Sequence, residues 1–244
     1  MNKVGQVDSA PSPAAYRAVG RRAGMFTQQV DYPVAARLCV AANRLGLRPT
    51  VLTLGNLVLG LGASVAVAGL ADVVARDQRW AVAVGVVSWL VWQFAYCLDC
   101  ADGQLARVTS TSSAAGGRLD ILCDIAVQVA VVAAVSAVTA ATHPGLPSWL
   151  VAAFAGSWMV NLMTSVMAKE GTNVSLVSSG SAVVRVVKLV RDYGFMVTVI
   201  SAVIAVRPSW MLWVMVFFTV LNGAFLFAVI VQSARSSLRG TSEA

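Results

Sequence analysis

Four aspartates near the middle of the chain have types and spacings that could hold metal ions. Asp99 and Asp102 are three residues apart, and Asp120 and Asp124 are four apart, so each pair lies on one face of a helix. Long apolar stretches flank both pairs, and an uncompensated charge at membrane depth is costly and rare. We therefore expect two divalent cations as the counter-charge. Carboxylate oxygens favour Mg²⁺, Mn²⁺ or Ca²⁺ over zinc or copper.

Small residues and one arginine accompany the aspartates. Gly103 and Ala106 leave the acidic side of the first helix almost without side chains, and Gly116 offers similar room on the second. Arg107 adds a guanidinium, which grips phosphate or pyrophosphate with two parallel hydrogen bonds. These residues could instead serve close helix packing, with Arg107 paired to one aspartate, but that interpretation leaves three charges unexplained.

The composition predicts that these helices lie in a membrane. The chain has 244 residues, of which 58% are hydrophobic and 12% charged, and its mean hydropathy is +0.75. Such values are typical of integral membrane proteins. We predict an all-α integral membrane fold with six transmembrane helices. The six stretches cover about residues 50–71, 80–101, 118–142, 148–168, 192–206 and 208–233, and the last two could instead form a hairpin or a kinked pair.

The segment before the first span divides into two parts. Residues 1–31 contain Pro, Ser and charged residues without an apolar core, so we predict a disordered cytoplasmic tail and no cleavable signal peptide. From Tyr32 to Leu47, apolar and basic residues alternate with helical period, as in an amphipathic helix lying in the membrane interface. A plain juxtamembrane anchor is the alternative. Residues 32–240 are expected to form a single domain.

The basic residues indicate the orientation. Fifteen of the 18 lysines and arginines fall on the side of the termini and the aspartates, and the remaining three are Arg76, Arg79 and Arg207. Cytoplasmic loops are enriched in such residues, so we expect both termini and the aspartates at the cytoplasmic face of the cell membrane. The net charge of +7 then reflects topology and contact with anionic lipids. Because the chain offers no soluble basic domain, nucleic-acid binding is not expected.

The first span carries two further features. Gly55, Gly62 and Gly69 recur every seventh residue, which favours close packing of another helix along that side. Asn56 shares a helix face with Thr53, and its amide could line a pocket or bond a neighbouring helix. We expect helix packing for Asn56.

The spacing D-x-x-D-G-x-x-A-R-x8-G-x-x-x-D-x-x-x-D, read from Asp99 to Asp124, resembles the signature of the CDP-alcohol phosphotransferase family. The six-span layout, the amphipathic helix and the Pro49-Thr-Val-Leu-Thr53 segment resemble that family more loosely. Its members transfer the phosphoryl-linked group of a CDP-linked donor to an alcohol and release CMP. The resemblance implies that Asp99, Asp102, Asp120 and Asp124 bind two divalent cations, Mg²⁺ or Mn²⁺, with Asp124 also the general base. It implies a CDP site at Gly103, Ala106, Arg107 and Gly116.

The acceptor alcohol is less well specified. Family members that use glycerol phosphate or inositol phosphate typically have a basic residue after the last aspartate of the motif, and this chain has Ile125. The donor that we expect is CDP-diacylglycerol. The alternative reaction is transfer of phosphocholine or phosphoethanolamine from a CDP-alcohol to a lipid alcohol, and its only indication is the Ser/Thr-rich stretch after Val108. A homodimer is possible. Four basic residues could contact an acceptor phosphate or carboxylate, or else anionic lipid: Arg118, Arg185, Lys188 and Arg191.

A divalent-cation transporter is the alternative from another functional class. Intramembrane carboxylates can carry ions. A transporter, however, needs ligands near the midplane and a path to both faces, whereas these aspartates lie towards one face. Gly103, Ala106 and Arg107 would have no role in it.

Overall fold

A computed structural model of the chain describes residues 11–21, 23–169 and 189–240. Within these ranges the chain is helical and contains no strand, in agreement with the predicted all-α class. The elements are α1 (Pro13–Ala18), a π-helical turn (Thr27–Asp31), α2 (Tyr32–Arg44), α3 (Pro49–Gly69), α4 (Ala71–Arg76), α5 (Gln78–Val108), α6 (Ala114–Thr142), α7 (Ser148–Lys169), α8 (Tyr193–Val206), a 3₁₀ turn (Pro208–Trp210) and α9 (Met211–Gly240).

Four of the described helical segments are long and apolar enough to cross a membrane. They are Pro49–Gly69, Gln78–Val108, Ala114–Thr142 and Pro208–Val231. The predicted fourth span coincides with α7, and the predicted fifth with α8, which is apolar but has only 14 residues. The structure thus supports four spans, and the count of six stays a prediction.

Local signals explain where the central helices begin and end. The side chain of Asp77 caps α5 by accepting a hydrogen bond from the Arg79 amide at 2.8 Å. At the end of α2, Gly46 has φ of +64°, and the Leu47 amide donates to the Ala42 carbonyl at 2.9 Å. This is the Schellman arrangement, for which glycine is the favoured residue. The chain therefore leaves α2 sharply and enters α3 at Pro49, in the first turn where proline is tolerated.

The membrane domain is built around α5. Helices α3 and α6 pack against each other, α3 and α8 pack against α5, and α7 packs against α9. The core is rich in buried aromatic rings: Phe154, Trp158 and Phe218 contact one another with centroid distances of 4.7 to 5.7 Å. The indole of Trp92 is also buried and donates to the Ser64 hydroxyl at 3.0 Å. Its polar N–H is thereby satisfied inside an apolar core.

Close helix contact in α3 occurs at a glycine other than those predicted. A Cβ at Gly60 would lie 2.6 Å from Val127 of α6, so only glycine allows this approach. By contrast, no described atom lies within 4 Å of a Cβ at Gly62 or Gly69, and at Gly55 the nearest is Leu98 at 3.2 Å. Of the three glycines in the seven-residue repeat, Gly55 lies at a close helix contact and the other two do not, among the described residues.

Helix α2 covers the predicted amphipathic segment as far as Arg44. It buries one face, Ala35, Ala36, Cys39 and Ala42, against the domain. The opposite side presents apolar residues outward, since Val34 is 38% and Leu45 73% exposed. Exposed apolar residues beside the spans are compatible with a membrane interface, and that location stays a prediction.

The described residues before α2 differ from the predicted disordered tail. Residues 11–21 and 23–31 lie against the domain, where Tyr16, Thr27 and Asp31 are almost fully buried. These anchors are single residues separated by polar stretches. They have no periodic pattern, so neither a helix nor a strand could be predicted for them.

Candidate active site

Three of the four predicted aspartates converge where α5 meets α6. Asp99, Asp120 and Asp124 each offer a carboxylate oxygen, and these oxygens all lie within 4.8 Å of one another. All three side chains are half-buried. Asp99 lies in the last third of α5 and the other two at the start of α6, so the antiparallel return of the chain brings the pairs face to face.

Asp102 lies outside this group of three and is tied to α3. Its carboxylate is buried and accepts a short hydrogen bond from the Thr53 hydroxyl. One turn along α3, the Asn56 amide donates to Asp99 at 3.3 Å. The first span thus contributes polar contacts to both α5 aspartates, whereas the sequence predicted helix packing for Asn56.

A tight turn between α5 and α6 sets the two acidic helix ends side by side. Ser110 adopts a left-handed φ of 55°, and the Thr111 amide donates to the Ala106 carbonyl at 2.9 Å, which closes α5 as a Schellman motif does. Ser113 then caps α6, because its hydroxyl accepts from the Gly116 amide at 3.0 Å. The connection therefore spans only residues 109–113, and Gly116 lies in the first turn of α6.

Arg107 folds back along α5 over Gly103. A Cβ at residue 103 would lie 3.0 Å from Nη1 of the guanidinium. The Arg107 side chain therefore occupies part of the space beside Gly103 in which we predicted a ligand. The Nε atom donates to the Val19 carbonyl at 2.8 Å. Ala106, the other small residue, is half-buried beside Arg107. The guanidinium therefore lies on the helix face that carries Asp99 and Asp102.

Tyr32, the first residue of α2, lies near the same end of α5. Its hydroxyl donates to the Arg21 carbonyl at 2.9 Å. Burial, and after it the Cys100 thiol, raise the pKa of Tyr32 to about 12, while Arg107 acts to lower the pKa. The neutral phenol is thus the form present at physiological pH, and it offers one hydroxyl group beside the guanidinium.

Two further tyrosines border the site and were missed from the sequence. The rings of Tyr96 and Tyr193 meet edge to face with centroids 4.9 Å apart. Tyr193 lies within electrostatic range of Asp99 and Asp124. Tyr96 precedes Asp99 by three residues, so helical spacing could have placed it on the acidic face. Nothing in the sequence relates Tyr193 of α8 to that face.

The predicted acceptor residues fall into three groups. Arg118 is exposed in the first part of α6. Arg191 lies just before α8, where its Nη2 donates to the Thr164 hydroxyl and its guanidinium stacks on the Phe225 ring at 3.8 Å. Burial lowers the pKa of Arg191 to about 10, and its Nη1 atom is buried without a hydrogen-bond partner among residues 11–21, 23–169 and 189–240. Two predicted residues lie outside the described part of the chain: Arg185 and Lys188.

The donor atoms at the junction fit a hard divalent cation. All are carboxylate oxygens, which Mg²⁺ and Mn²⁺ prefer, and no thiol or imidazole belongs to the group. Three half-buried carboxylates this close repel one another unless a cation or protons neutralise them. The group of Asp99, Asp120 and Asp124 could therefore hold a metal ion. Asp102, three residues after Asp99, is bonded to Thr53 instead.

Comparison with known proteins gives one family. The family model described as CDP-alcohol phosphatidyltransferase matches residues 47–221, which include α3, the acidic junction and α8. The chain has no match among curated proteins. The match begins after α2, so α1, the π-helical turn and α2 lie outside it.

Proposed function

Because the chain belongs to the CDP-alcohol phosphatidyltransferase family, we propose that it transfers the phosphatidyl group of CDP-diacylglycerol to an alcohol and releases CMP, as a step of phospholipid biosynthesis. The observation that carries this proposal is the junction of α5 and α6, where three carboxylates meet within 4.8 Å. Members of the family typically require a divalent cation, and this junction is the acidic cluster found in the described residues.

The reaction exchanges the phosphoanhydride bond of the donor for a new phosphate ester. The acceptor hydroxyl oxygen attacks the phosphorus that carries diacylglycerol, and the bond from that phosphorus to the oxygen bridging to CMP breaks. CMP leaves with the bonding electron pair, and the acceptor hydroxyl loses its proton. Bound divalent cations would supply neutralisation of the charge that develops on the pyrophosphate oxygens.

The proposed roles are those that the family resemblance implies, and the positions of the side chains support them. Asp124 accepts the acceptor's proton as general base, a role that requires one of its carboxylate oxygens to be free of metal. Arg107 directs its Nη atoms at the pyrophosphate, and such paired hydrogen bonds to phosphate are geometrically specific. Four residues form the proposed nucleotide site along the ends of α5 and α6: Gly103, Ala106, Arg107 and Gly116.

Arg191 is the proposed acceptor contact with the strongest structural support. A half-buried guanidinium with a buried, unpartnered Nη1 favours an anionic group. Tyr193, two residues later, lies near the carboxylates of Asp99 and Asp124. A ligand bound at Arg191 would therefore approach the acidic junction. An acceptor with a phosphate or carboxylate is the class that fits. Arg118, Arg185 and Lys188 stay as further proposed contacts.

We place both termini and the active site on the cytoplasmic side of the membrane. The proposal rests on the fifteen-to-three distribution of lysine and arginine. A membrane-impermeant maleimide applied to intact cells and to inverted vesicles, with a cysteine introduced at exposed Ser12, would give labelling only in the inverted vesicles. Labelling in intact cells would refute this orientation.

The reaction is tested with the full-length protein in detergent, Mg²⁺ or Mn²⁺, and CMP as the product measured. CDP-diacylglycerol is paired in turn with serine, glycerol phosphate, inositol phosphate and unphosphorylated polyols. CDP-choline with diacylglycerol tests the alternative reaction, in which phosphocholine is transferred to a lipid alcohol. We expect CMP release from CDP-diacylglycerol with one phosphate-bearing acceptor and its loss on metal chelation. Absence of metal-dependent CMP release with every donor would refute the enzyme proposal.

A further inference from the structure

The N-terminal strap, defined as residues 12–21 and 23–31, runs across the end of α5 that the proposed orientation places towards the cytosol. It lies outside the residues matched by the family model. Tyr16 anchors its beginning, since this ring is fully buried among residues of α2 and α5. The strap then contacts three helices that border the acidic junction, namely α5, α2 and α8.

The first contact joins the strap to the proposed nucleotide site. The Val19 carbonyl accepts the hydrogen bond from Nε of Arg107 at 2.8 Å. Because Nε is occupied, the planar guanidinium is fixed in rotation. Neither Nη1 nor Nη2 donates to a protein atom among the described residues, so both remain available for a phosphate.

The second contact holds the strap close to α2. The Tyr32 hydroxyl donates to the Arg21 carbonyl at 2.9 Å, and the Tyr32 ring packs on Gly20. A Cβ at Gly20 would lie 2.7 Å from that ring, so glycine is needed for this approach. The backbone on both sides of Gly20 is therefore held, with Val19 facing Arg107 and Arg21 facing Tyr32.

The third contact anchors the strap to the start of α8. The Thr27 amide donates to one carboxylate oxygen of Asp192 at 3.0 Å, and its hydroxyl donates to the other at 2.6 Å. Both residues are at least 97% buried. The Thr27 hydroxyl also lies 3.1 Å from the Tyr96 hydroxyl. Such a buried, charge-assisted pair is a strong attachment, and it joins the strap to α5 and α8 together.

We propose that the strap is a positioning element for the nucleotide site, in which the anchor between Thr27 and Asp192 fixes Val19, and the Val19 carbonyl orients Arg107 for the pyrophosphate of the donor. This inference rests on the proposed function. Thr27 and Val19 touch no substrate, so they act through Arg107. Loosening the anchor frees the guanidinium to rotate, and the affinity for the donor falls while the acidic junction is left intact.

The test compares Thr27→Val, which removes the hydroxyl at nearly constant volume, with Thr27→Ser, which keeps it. Thr198→Val is the matched control, since Thr198 lies on α8 and bonds the exposed Trp89 away from the strap. We expect Thr27→Val to raise the KM for CDP-diacylglycerol about tenfold with kcat changed less than about threefold. Thr27→Ser and Thr198→Val should match the unaltered protein. An unchanged KM in Thr27→Val overturns the inference.

Two further measurements separate positioning from general loosening of the fold. Hydrogen exchange of the full-length protein should quicken in residues 12–31 of Thr27→Val and stay unchanged in α5 and α6. In an Arg107→Lys background, which lacks the Nε donor, Thr27→Val should raise the KM by less than about twofold. A full tenfold effect in that background would show that the strap acts by a route other than Arg107, and would also overturn the inference.

The strap can be tested even where the proposed reaction fails. Should the unaltered protein release no CMP, the same variants are titrated with CDP and Mg²⁺ by calorimetry. Weaker CDP binding by Thr27→Val, restored in Thr27→Ser, would support the positioning role, and equal binding or no binding by all variants would refute it.

Discussion

The guanidinium of Arg107 lies against the bare backbone of Gly103, one turn earlier on the same helix, where a Cβ would be 3.0 Å from Nη1. Glycine at this position therefore leaves room for the conformation of a neighbouring side chain. The relationship makes Arg107 sensitive to changes on both sides, at Gly103 below it and at Val19 above it.

Gly103→Ala should displace the Arg107 guanidinium without unfolding the protein. A methyl group 3.0 Å from Nη1 is closer than ordinary van der Waals contact, and the flexible arginine side chain is the group that moves. We expect the KM for the CDP donor to rise about tenfold, with the melting temperature nearly unchanged. Gly62→Ala is the control, because no described atom lies within 4 Å of its Cβ. An unaltered KM in Gly103→Ala would contradict the assigned role of Arg107.

Asp120→Asn should abolish turnover while leaving the membrane fold intact. The amide keeps the size of the side chain but removes the charge that a divalent cation needs. We expect CMP release to fall by about 10³-fold or more, and size-exclusion elution in detergent to stay unchanged. Asp72→Asn, an exposed residue of α4, should keep full activity. Near-normal turnover by Asp120→Asn would refute its assignment as a metal ligand.

Thr53→Val should impair the site from the neighbouring helix. The substitution removes the hydroxyl that donates to the buried Asp102 carboxylate, and the loss of such a bond costs about 2 kcal/mol. We expect a lower melting temperature and a CMP release rate reduced about tenfold. Thr53→Ser, which restores the hydroxyl, should recover most of both. Equal behaviour of the Val and Ser variants would argue against this contact.

Asp31 should make stability depend on pH near neutrality. Its carboxylate is buried, bonded to Gln93 and close to Cys97, and it has one oxygen without a partner. Burial, together with the Asp192 carboxylate, raises the pKa of Asp31 to about 7. The unfolded chain releases this proton near pH 4, so the folded state binds more protons between about pH 4 and pH 7. Stability therefore falls as the pH rises through that window and levels off above it.

Asp31→Asn should remove this part of the pH dependence. The new amide can donate to the Gln93 carbonyl oxygen, which is buried without a partner, and it carries no charge to desolvate. We expect the melting temperature at pH 8 to rise relative to the unaltered protein by on the order of 5 °C, with little difference at pH 5. Asp72→Asn serves as the exposed control. A shift of equal size at both pH values would show that Asp31 does not titrate in this window.

The convergence of the aspartates was predictable because it depends on local spacing. Three-residue and four-residue intervals fix which side chains share a helix face, and a short connection forces antiparallel return. Spacing and connection together place Asp99, Asp120 and Asp124 at one junction, as the structure has them, whereas Asp102, predicted in the same group, bonds to Thr53 outside it. All-helical architecture followed in the same way from the long apolar stretches.

Contacts between helices could not be predicted from one sequence. Thr53 meets Asp102, and Gly60 rather than Gly62 meets Val127, because of the rotation and depth at which α3 packs on α5 and α6. Both quantities depend on the complete set of packed side chains. The strap was missed for a related reason. Its attachment depends on isolated residues such as Thr27, whose partner is 165 positions away.

Helix α5 has 31 residues, and at about 1.5 Å per residue it is roughly 46 Å long. A hydrocarbon core is only about 30 Å thick, so a substantial part of α5 must stand in or beyond the headgroup layer. In the proposed orientation, the carboxylates near its end would be level with lipid phosphates. The proposed lipid-linked donor would then reach them by lateral diffusion within its own monolayer. The donor concentration that sets the rate is accordingly its mole fraction in the membrane, and diluting it with inert phospholipid should slow turnover even at constant total amount.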